Sequence, residues 1–412
     1  MAAVAGLRGT GDFATDERPK DFREMILFRD PNGDSPIFAL TSKTRKRTVT
    51  DPQYYWWDEP QDIVRLQINN ASNHAAGDTV LIVDSQDPST SAPTRVWGTA
   101  SHLKPGDLLL CEGTDSASYA PEIVEVIQAL SDTQIQVSRG AAGSTAGTIN
   151  NDTYLTLIGS SFSEGTDAPS AVSRQPLKYN NYTQIFKDAY ELTGTVLATT
   201  FRTGEPWSND KKRKMFDHSR GIEMAMLFGR ASEVTGNNGK PKRTMAGLRA
   251  QIPTANQYVY SGTTTINDLL DRVSPVFNYV SPAGDERIAF VGNGALNALN
   301  KIIMADSNSD MNWAMPQRVY GMNFNVLQFP QGRLLLKTHP LLSRMTSYTN
   351  SMFVLDFASM TYVTLKGRDT KVKDDIQTAG EDVRRGFIQT ECSLELDRGG
   401  VTCAYIGNIT AP

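Results

Sequence analysis

The residues with the strongest chemical reactivity are few in this chain and lie far apart. Its four histidines and three cysteines fall in separate regions and form neither an HExxH nor a CxxC spacing: His74, His102, His218, His339, Cys111, Cys392 and Cys403. Protein zinc sites draw their ligands from such short fixed spacings, so the sequence predicts no metal site. Cysteines without regular spacing also favour a reducing compartment over a disulfide framework.

Three short stretches resemble known site motifs, and each departs from its motif at a deciding position. The stretch 143–147 (GSTAG) has its serine one place too early for a G-x-S-x-G nucleophile elbow. In 290–297 (FVGNGALN), Asn297 stands where a dinucleotide-binding loop has its third glycine. The stretch beginning at Asp306 opens like a calcium loop, but Met311 and Gln317 replace the required glycine and glutamate. The sequence therefore predicts no enzyme and no cofactor.

Length and charge narrow the class of protein. A chain of 412 residues is long enough for two or three domains. Its 41 basic and 45 acidic residues give a net charge of −4, which is not the global signature of a nucleic-acid-binding protein. The apolar runs are too short to span a membrane, and the N-terminus lacks the pattern of a signal peptide.

An aromatic block follows the basic run 43–47 (KTRKR). It consists of four consecutive aromatic residues and two acids: Tyr54, Tyr55, Trp56, Trp57, Asp58 and Glu59. Neighbours on a strand point to opposite faces, so four aromatics in a row cannot all enter one core. The block is either a local cluster beneath a loop or an anchor between subunits, and the second interpretation is slightly favoured.

Residues 66–160 have the pattern of a small β domain. Short apolar runs alternate with turn residues, which predicts strands at 79–83, 107–110, 122–127, 134–137 and 154–158. This segment holds three basic and ten acidic residues, a net charge of −7, and leaves the remainder of the chain at +3. The difference predicts two environments, one for an acidic β domain and one for a mildly basic body.

A long helix is predicted over 208–234, with Ser208 or Asn209 as its cap and Gly236 beyond its end. Its seam has coiled-coil spacing and comprises Met215, Ser219, Ile222, Met226 and Gly229. Four cations crowd its first turns, where the helix dipole disfavours positive charge: Lys211, Lys212, Arg213 and Lys214. Either acidic or phosphate groups lie nearby, or this segment is a solvated basic face.

The remainder of the chain has an α+β pattern. Helices are predicted at 266–280 and 295–304, and strands at 287–291, 324–329, 333–338, 353–357, 362–366, 385–395 and 401–406.

The order of these parts resembles the major head (capsid) proteins of tailed bacteriophages, which have the HK97-like (Hong Kong 97-type) fold. The likeness is nearest to the subgroup with a β domain inserted in the extended loop. Four parts of the sequence carry this resemblance. They are the aromatic block 54–59, the end of the insert (136–143, QVSRGAAG, and 157–160, LIGS), the return strand (181–186, NYTQIF, and 191–194, ELTG) and the long charged helix.

The resemblance implies an α+β fold with five parts. These are an N-terminal arm (1–41) extended across a neighbouring subunit, an extended loop (42–65 and 161–206), an inserted β domain (66–160), a peripheral domain with a spine helix (207–250 and 360–395), and an axial domain (251–359 and 396–412).

It also implies a structural, non-enzymatic protein that assembles with itself, as hexamers and pentamers, into the icosahedral shell of a virion. That shell would enclose double-stranded DNA without reading its sequence, and would assemble in the host bacterial cytoplasm without a membrane. Scaffolding, portal and decoration proteins are the implied partners. The intersubunit contact candidates are the four aromatics at 54–57 and the four cations at 211–214.

Other classes remain open from the sequence. An encapsulin-like compartment shares the fold but encloses protein cargo, and a tail protein would explain the β domain but not the spine helix. A polysaccharide-active enzyme needs a carboxylate pair in an aromatic cleft, and a sequence does not place such a pair.

Overall fold

A computed structural model describes residues 35–41, 44–59, 64–69, 72–84, 98–112, 121–173, 176–201, 204–305, 313–319 and 322–411. Residues 1–34 of the expected arm, Lys43 of the basic run and the start of the calcium-like stretch lie outside the described residues.

The helices are α1 Pro36–Thr41, α2 Gly194–Ala198, α3 Pro206–Phe228, α4 Leu248–Gln251, α5 Ile266–Val273, α6 Asn293–Ala305 and α7 Pro340–Arg344. The strands are β1 Arg45–Val49, β2 Gln53–Asp58, β3 Arg65–Ile68, β4 Val80–Asp84, β5 Asp107–Glu112, β6 Ile123–Ser131, β7 Gln134–Ser138, β8 Tyr154–Ser160, β9 Leu177–Tyr182, β10 Gln184–Thr193, β11 Ser232–Thr235, β12 Pro241–Thr244, β13 Gln257–Val259, β14 Glu286–Val291, β15 Trp313–Val319, β16 Met322–Phe329, β17 Gly332–Thr338, β18 Met352–Leu355, β19 Met360–Leu365, β20 Lys371–Lys373, β21 Val383–Leu396 and β22 Ala404–Gly407.

Strands β3 to β8 close into a barrel in the order β3-β4-β7-β6-β5-β8. Alternate residues point inward, as in β5, where Leu109 and Cys111 enter a core that the barrel residues form among themselves. Glu122 binds the guanidinium of Arg139 and two backbone N–H groups. Although burial acts to raise its pKa, these hydrogen bonds lower it overall. The five strands predicted in this segment are confirmed.

Two larger sheets make up the body. One has the order β1-β19-β21-β10, with β20 beside β21, and α3 packs along β10 and β21. The other has seven strands in the order β13-β22-β18-β14-β17-β16-β15. Because side chains alternate along β14, Ile288 and Phe290 enter a core shared with α3, whereas Ala289 and Val291 enter the core beneath α5 and α6. Both faces of this strand are therefore buried.

The spine helix α3 differs from its prediction at both ends. It begins at Pro206, and Glu205 occupies the N-cap position instead of Ser208 or Asn209. It ends at Phe228, and the expected extension to 234 is wrong. A Cβ on Gly229 would lie 2.5 Å from the Met245 carbonyl oxygen, so this close backbone approach turns the chain away into β11.

The predicted seam holds only in the second half of α3. Ile222 and Met226 are fully buried, whereas Met215 is 46 % exposed. The predicted helix over 266–280 is also too long, since α5 ends at Val273 and a short 3-10 turn follows. Pro275 in that turn has no N–H to continue the α-helical ladder.

The root of the expected arm is a helix. Residues 36–41 form α1, which corrects the expectation of an extended arm through residue 41. Ile37 and Leu40 are buried in the same core as Ile222 and Met226, and this burial holds the six-residue helix in place.

A buried carboxylate binds the start of α1. Glu223 on the spine helix accepts the backbone N–H groups of Ile37 and Phe38, at 2.9 and 2.6 Å. It also accepts a hydrogen bond from Nε2 of His339, at 2.7 Å. The Nδ1 atom of His339 accepts the Leu342 N–H at the start of α7, so the hydrogen resides on Nε2. One carboxylate thus joins three elements.

The seam gives a test of the spine helix. We expect Ile222→Ala and Met226→Ala each to lower the free energy of unfolding by about 2–5 kcal/mol, because each leaves a cavity in a packed core. Met215→Ala is the control and should change it by no more than about 0.5 kcal/mol. Melting of the unassembled subunit measures these differences, and a parental melting profile for both core variants would contradict the assignment.

The hydrogen bonds between Glu223 and α1, which we call the carboxylate clamp, give a second test. Glu223→Ala leaves buried donors unpaired and should lower the free energy of unfolding by at least about 2 kcal/mol. We expect proteases to cleave the chain near α1 faster in this variant. Glu233→Ala, which removes an exposed carboxylate on β11, is the control, and equal cleavage rates in both variants would show that the clamp does not hold the helix.

Candidate intersubunit surface

The aromatic strand β2 separates its four aromatic side chains onto two faces. It pairs antiparallel with β9, with Trp56 opposite Tyr179 and Trp57 opposite Lys178. Tyr54 and Trp56 are 4 % and 8 % exposed, whereas Tyr55 and Trp57 are 39 % and 62 % exposed. The alternation of a strand therefore divides the predicted block into an inner and an outer pair.

The inner pair fastens β2 to the body of its own subunit. The Tyr54 hydroxyl donates to Ser393 on β21 at 2.9 Å, and burial raises its pKa above the ordinary phenol value. The Tyr54 ring stacks on Trp56, and Trp56 stacks on Tyr179, both at 5.8 Å between centroids. Of the two interpretations of the aromatic block, the local cluster therefore holds for Tyr54 and Trp56.

The outer pair forms an exposed surface. The Lys178 ammonium lies 3.9 Å from the centroid of Tyr55 and 5.6 Å from that of Trp57. We call Tyr55, Trp57 and Lys178 the outer face. It combines large apolar rings with a positive charge, and the rigid inner pair behind it holds its backbone in place.

The four cations of the spine helix do not act as one group. Lys211 contacts Asp374 at 2.6 Å, and this hydrogen bond lowers the pKa of Asp374. Lys212 and Arg213 face solvent and Lys214 is half-buried, and in the described part of the chain none of the three forms an ion pair. Among the described residues, no ion pair or cation–π contact joins this segment to the outer face.

The histidines and cysteines lie in structural positions. Burial raises the pKa of Cys111, Cys392 and Cys403 to about 12, so their thiols are poor nucleophiles. His218 on the spine helix is hydrogen-bonded to Asp188 on β10 and to Thr390 on β21. Among the described residues, no three His, Cys, Asp or Glu side chains are grouped to hold a metal ion. No helix in the described ranges is long and apolar enough to cross a membrane.

Sequence reasoning missed one buried polar residue that positions this surface. Asn181 on β9 accepts the N–H groups of Ala246 and Tyr182, and donates to the carbonyls of Ala246 and Leu394. It thus ties the β2–β9 ribbon to the segment between β12 and α4 and to β21. No spacing or composition signal distinguishes this asparagine from its exposed neighbour Asn180.

Two matches to known proteins extend over almost the full chain. The family model described as SU10 major capsid protein matches residues 9–410. The major capsid protein of Pseudomonas phage PaMx41 is 27 % identical over 418 residues, covering 96 % of this chain and 94 % of that protein.

Solved structures of shell proteins are similar to this chain at lower sequence identity. The capsid of the native GTA particle has a TM-score of 0.46 at 9 % identity and covers 98 % of this chain and 100 % of its own. For Mycobacterium phage Bobi the TM-score is 0.45 at 8 % identity, with coverage of 97 % and 98 %. The SrpI encapsulin complex of Synechococcus elongatus PCC 7942 has a TM-score of 0.39 at 9 % identity, with coverage of 57 % and 76 %.

The described chain has the barrel between the strands β2 and β9 and the spine helix after them, and the expected α+β class is confirmed. With residues 9–410 matched, the chain belongs to the SU10 major capsid protein family and forms the shell of a phage head.

Proposed function

We propose that the outer face is an intersubunit contact of the shell and that the chain has no catalytic role. The observation that carries the proposal is Trp57, which is 62 % exposed on a strand whose opposite face is locked in the subunit. A large ring held rigidly in solvent loses little further freedom when a partner covers it. Tryptophan and tyrosine are the residues that most often anchor the centres of protein interfaces.

We further propose the domain organisation implied by the resemblance: arm 1–41, extended loop 42–65 and 161–206, inserted β domain 66–160, peripheral domain 207–250 and 360–395, and axial domain 251–359 and 396–412. The separate barrel core supports the insert. The peripheral and axial parts share the cluster that contains Ile222 and Phe290, so they fold as one body. Strands β1 and β10 lie in the peripheral sheet, which leaves the β2–β9 ribbon as the loop proper.

The proposed partners are packaged double-stranded DNA, bound without sequence preference, and separate scaffolding, portal and decoration proteins. Hexamers and pentamers would assemble in the host cytoplasm. The exposed cations Lys212 and Arg213 support a weak, salt-sensitive contact with phosphate. The family match favours a DNA-filled head over an encapsulin-like compartment or a tail protein.

Electron microscopy of the purified protein tests the shell, and nucleic-acid content tests its cargo. We expect closed particles of tens of nanometres that contain DNA when taken from infected cells. Open tubes, or particles that enclose only protein, would contradict the proposal.

The two tryptophans should behave oppositely. We expect Trp57→Ala to leave the free energy of unfolding of the unassembled subunit within about 0.5 kcal/mol, because the ring is mostly in solvent. It should nevertheless reduce the yield of closed shells, since loss of an interface anchor costs about 2 kcal/mol or more at each contact. Trp56→Ala should instead lower subunit stability by about 3–5 kcal/mol. Light scattering, negative-stain images and melting distinguish the variants, and parental yields of shells from Trp57→Ala would exclude the outer face as a contact.

The barrel should be removable. Its first and last strands are hydrogen-bonded neighbours, with Arg65 opposite Thr156, so a short Gly-Ser linker between Arg65 and Ser161 can replace residues 66–160. We expect the shortened chain to remain soluble with its helical circular dichroism intact. The isolated barrel is the matched control and should keep its strand signal. Loss of helix in the shortened chain would show that the barrel belongs to the main core.

A further inference from the structure

An apolar groove of about 480 Å³ opens where the C-terminal end of α1 meets the seven-stranded sheet. Five apolar side chains from α1, from three strands of that sheet and from the turn after β18 line it: Leu40, Ile288, Leu335, Leu355 and Phe357. A cavity of about 150 Å³ accepts one benzene-sized group, so the groove has room for about three apolar side chains.

The charges beside this groove already have partners. Arg45 and Glu286 are the two ionisable side chains in its described lining. Arg45 pairs with Asp397, and Glu286 pairs with Arg333. No unused charge therefore remains there to bind a polar ligand, and the groove suits an uncharged, apolar occupant.

The N-terminal stretch outside the described residues contains a segment of matching composition. In residues 1–34, four large apolar side chains stand in succession once, at 25–28 (MILF). The seven residues from Phe28 to Ser35 can span up to about 23 Å. Along the axis of α1, Ser35 lies only about 8 Å from Leu40, at the rise of an α-helix. The run at 25–28 is therefore within reach of the groove of its own subunit.

The residues between this run and α1 favour a reversal of the chain. Residues 30–33 (DPNG) have Asp, Pro and Gly at the first, second and fourth positions, where a type I β-turn prefers them. A turn there directs the run back along α1, from the Ser35 end towards the Leu40 end, and the groove opens at the Leu40 end. Composition, reach and direction thus select the same occupant.

We propose that residues 25–28 of each copy fill the groove at α1 of the same copy. Burial of their side chains against Leu40 and Phe357 supplies the driving force, because apolar surface on both partners leaves water. Residues 1–24 are then the part of the expected arm that remains free to contact a neighbouring subunit.

A disulfide tests this position in the full-length, unassembled subunit at low protein concentration. Ile26→Cys with Ala283→Cys places one thiol on the run and one on an exposed residue of the groove lining. Oxidised glutathione takes up the two electrons and two protons of the paired thiols and leaves as two reduced molecules. We expect a link within one chain, seen by mass spectrometry, to form at least about ten-fold faster than in the control Ile26→Cys with Ala198→Cys, an exposed alanine of α2 outside the groove.

A dye tests whether the groove is filled. We expect Ile26→Asp with Leu27→Asp to raise the fluorescence of added 8-anilinonaphthalene-1-sulfonate about three-fold, because the dye binds exposed apolar surface and the groove is then uncovered. Val4→Asp with Leu7→Asp makes the same change of charge in the same stretch of chain. This control should stay at the parental level.

Three results would overturn the proposal. Disulfides between copies would assign the run to a neighbouring subunit, and equal rates for the two cysteine pairs would show that it has no preferred position. A parental chain that binds as much dye as the Ile26→Asp, Leu27→Asp variant would show an open groove. All three measurements use the unassembled subunit, so a failure here leaves the shell-forming function standing.

Discussion

Consecutive side chains of a strand point to opposite faces, and the surface of this subunit depends on that constraint at β2. Tyr54 and Trp56 are committed to the body, where a hydroxyl bond to Ser393 and ring stacking fix the strand. Tyr55 and Trp57 must therefore face outward, on a backbone that cannot turn to bury them. An exposed aromatic pair on a flexible loop would collapse onto the nearest apolar surface, whereas here the core behind the strand keeps it available.

The same body core also fixes the position of the helix α1, at the N-terminal end of the described chain. Isolated helices as short as α1 are unstable in water. Burial of Ile37 and Leu40 and the Glu223 carboxylate together replace the length that the helix lacks. Burying a carboxylate is costly unless its oxygens are bonded, and three donors meet that condition here. The helix α1 consequently holds a defined position next to the spine helix.

The sequence predicted the features that depend on neighbours along the chain and missed those that depend on distant ones. The barrel strands were predictable because apolar alternation and turn residues are local signals. The end of α3 was not, since it depends on the approach of Gly229 to Met245, sixteen positions later. The hydrogen-bonding roles of Glu223 and Asn181 were not predictable either, because only folding brings their distant partners together. For the aromatic block, alternation predicted two faces, but only the packing of β21 shows which pair is buried.

Closed rings of identical subunits need two different complementary surfaces on each copy. An isologous contact pairs one patch with itself and stops at a dimer, whereas a heterologous contact leaves a free surface at each end and continues until the ring closes. The outer face on β2 is a single patch, centred on the exposed ring of Trp57. If it lies at such a contact, the surface that covers it in the shell must be a different part of the neighbouring copy. Because Tyr54 and Trp56 hold β2 in its own subunit, the outer face keeps one orientation in every copy, which a repeating contact of this kind requires.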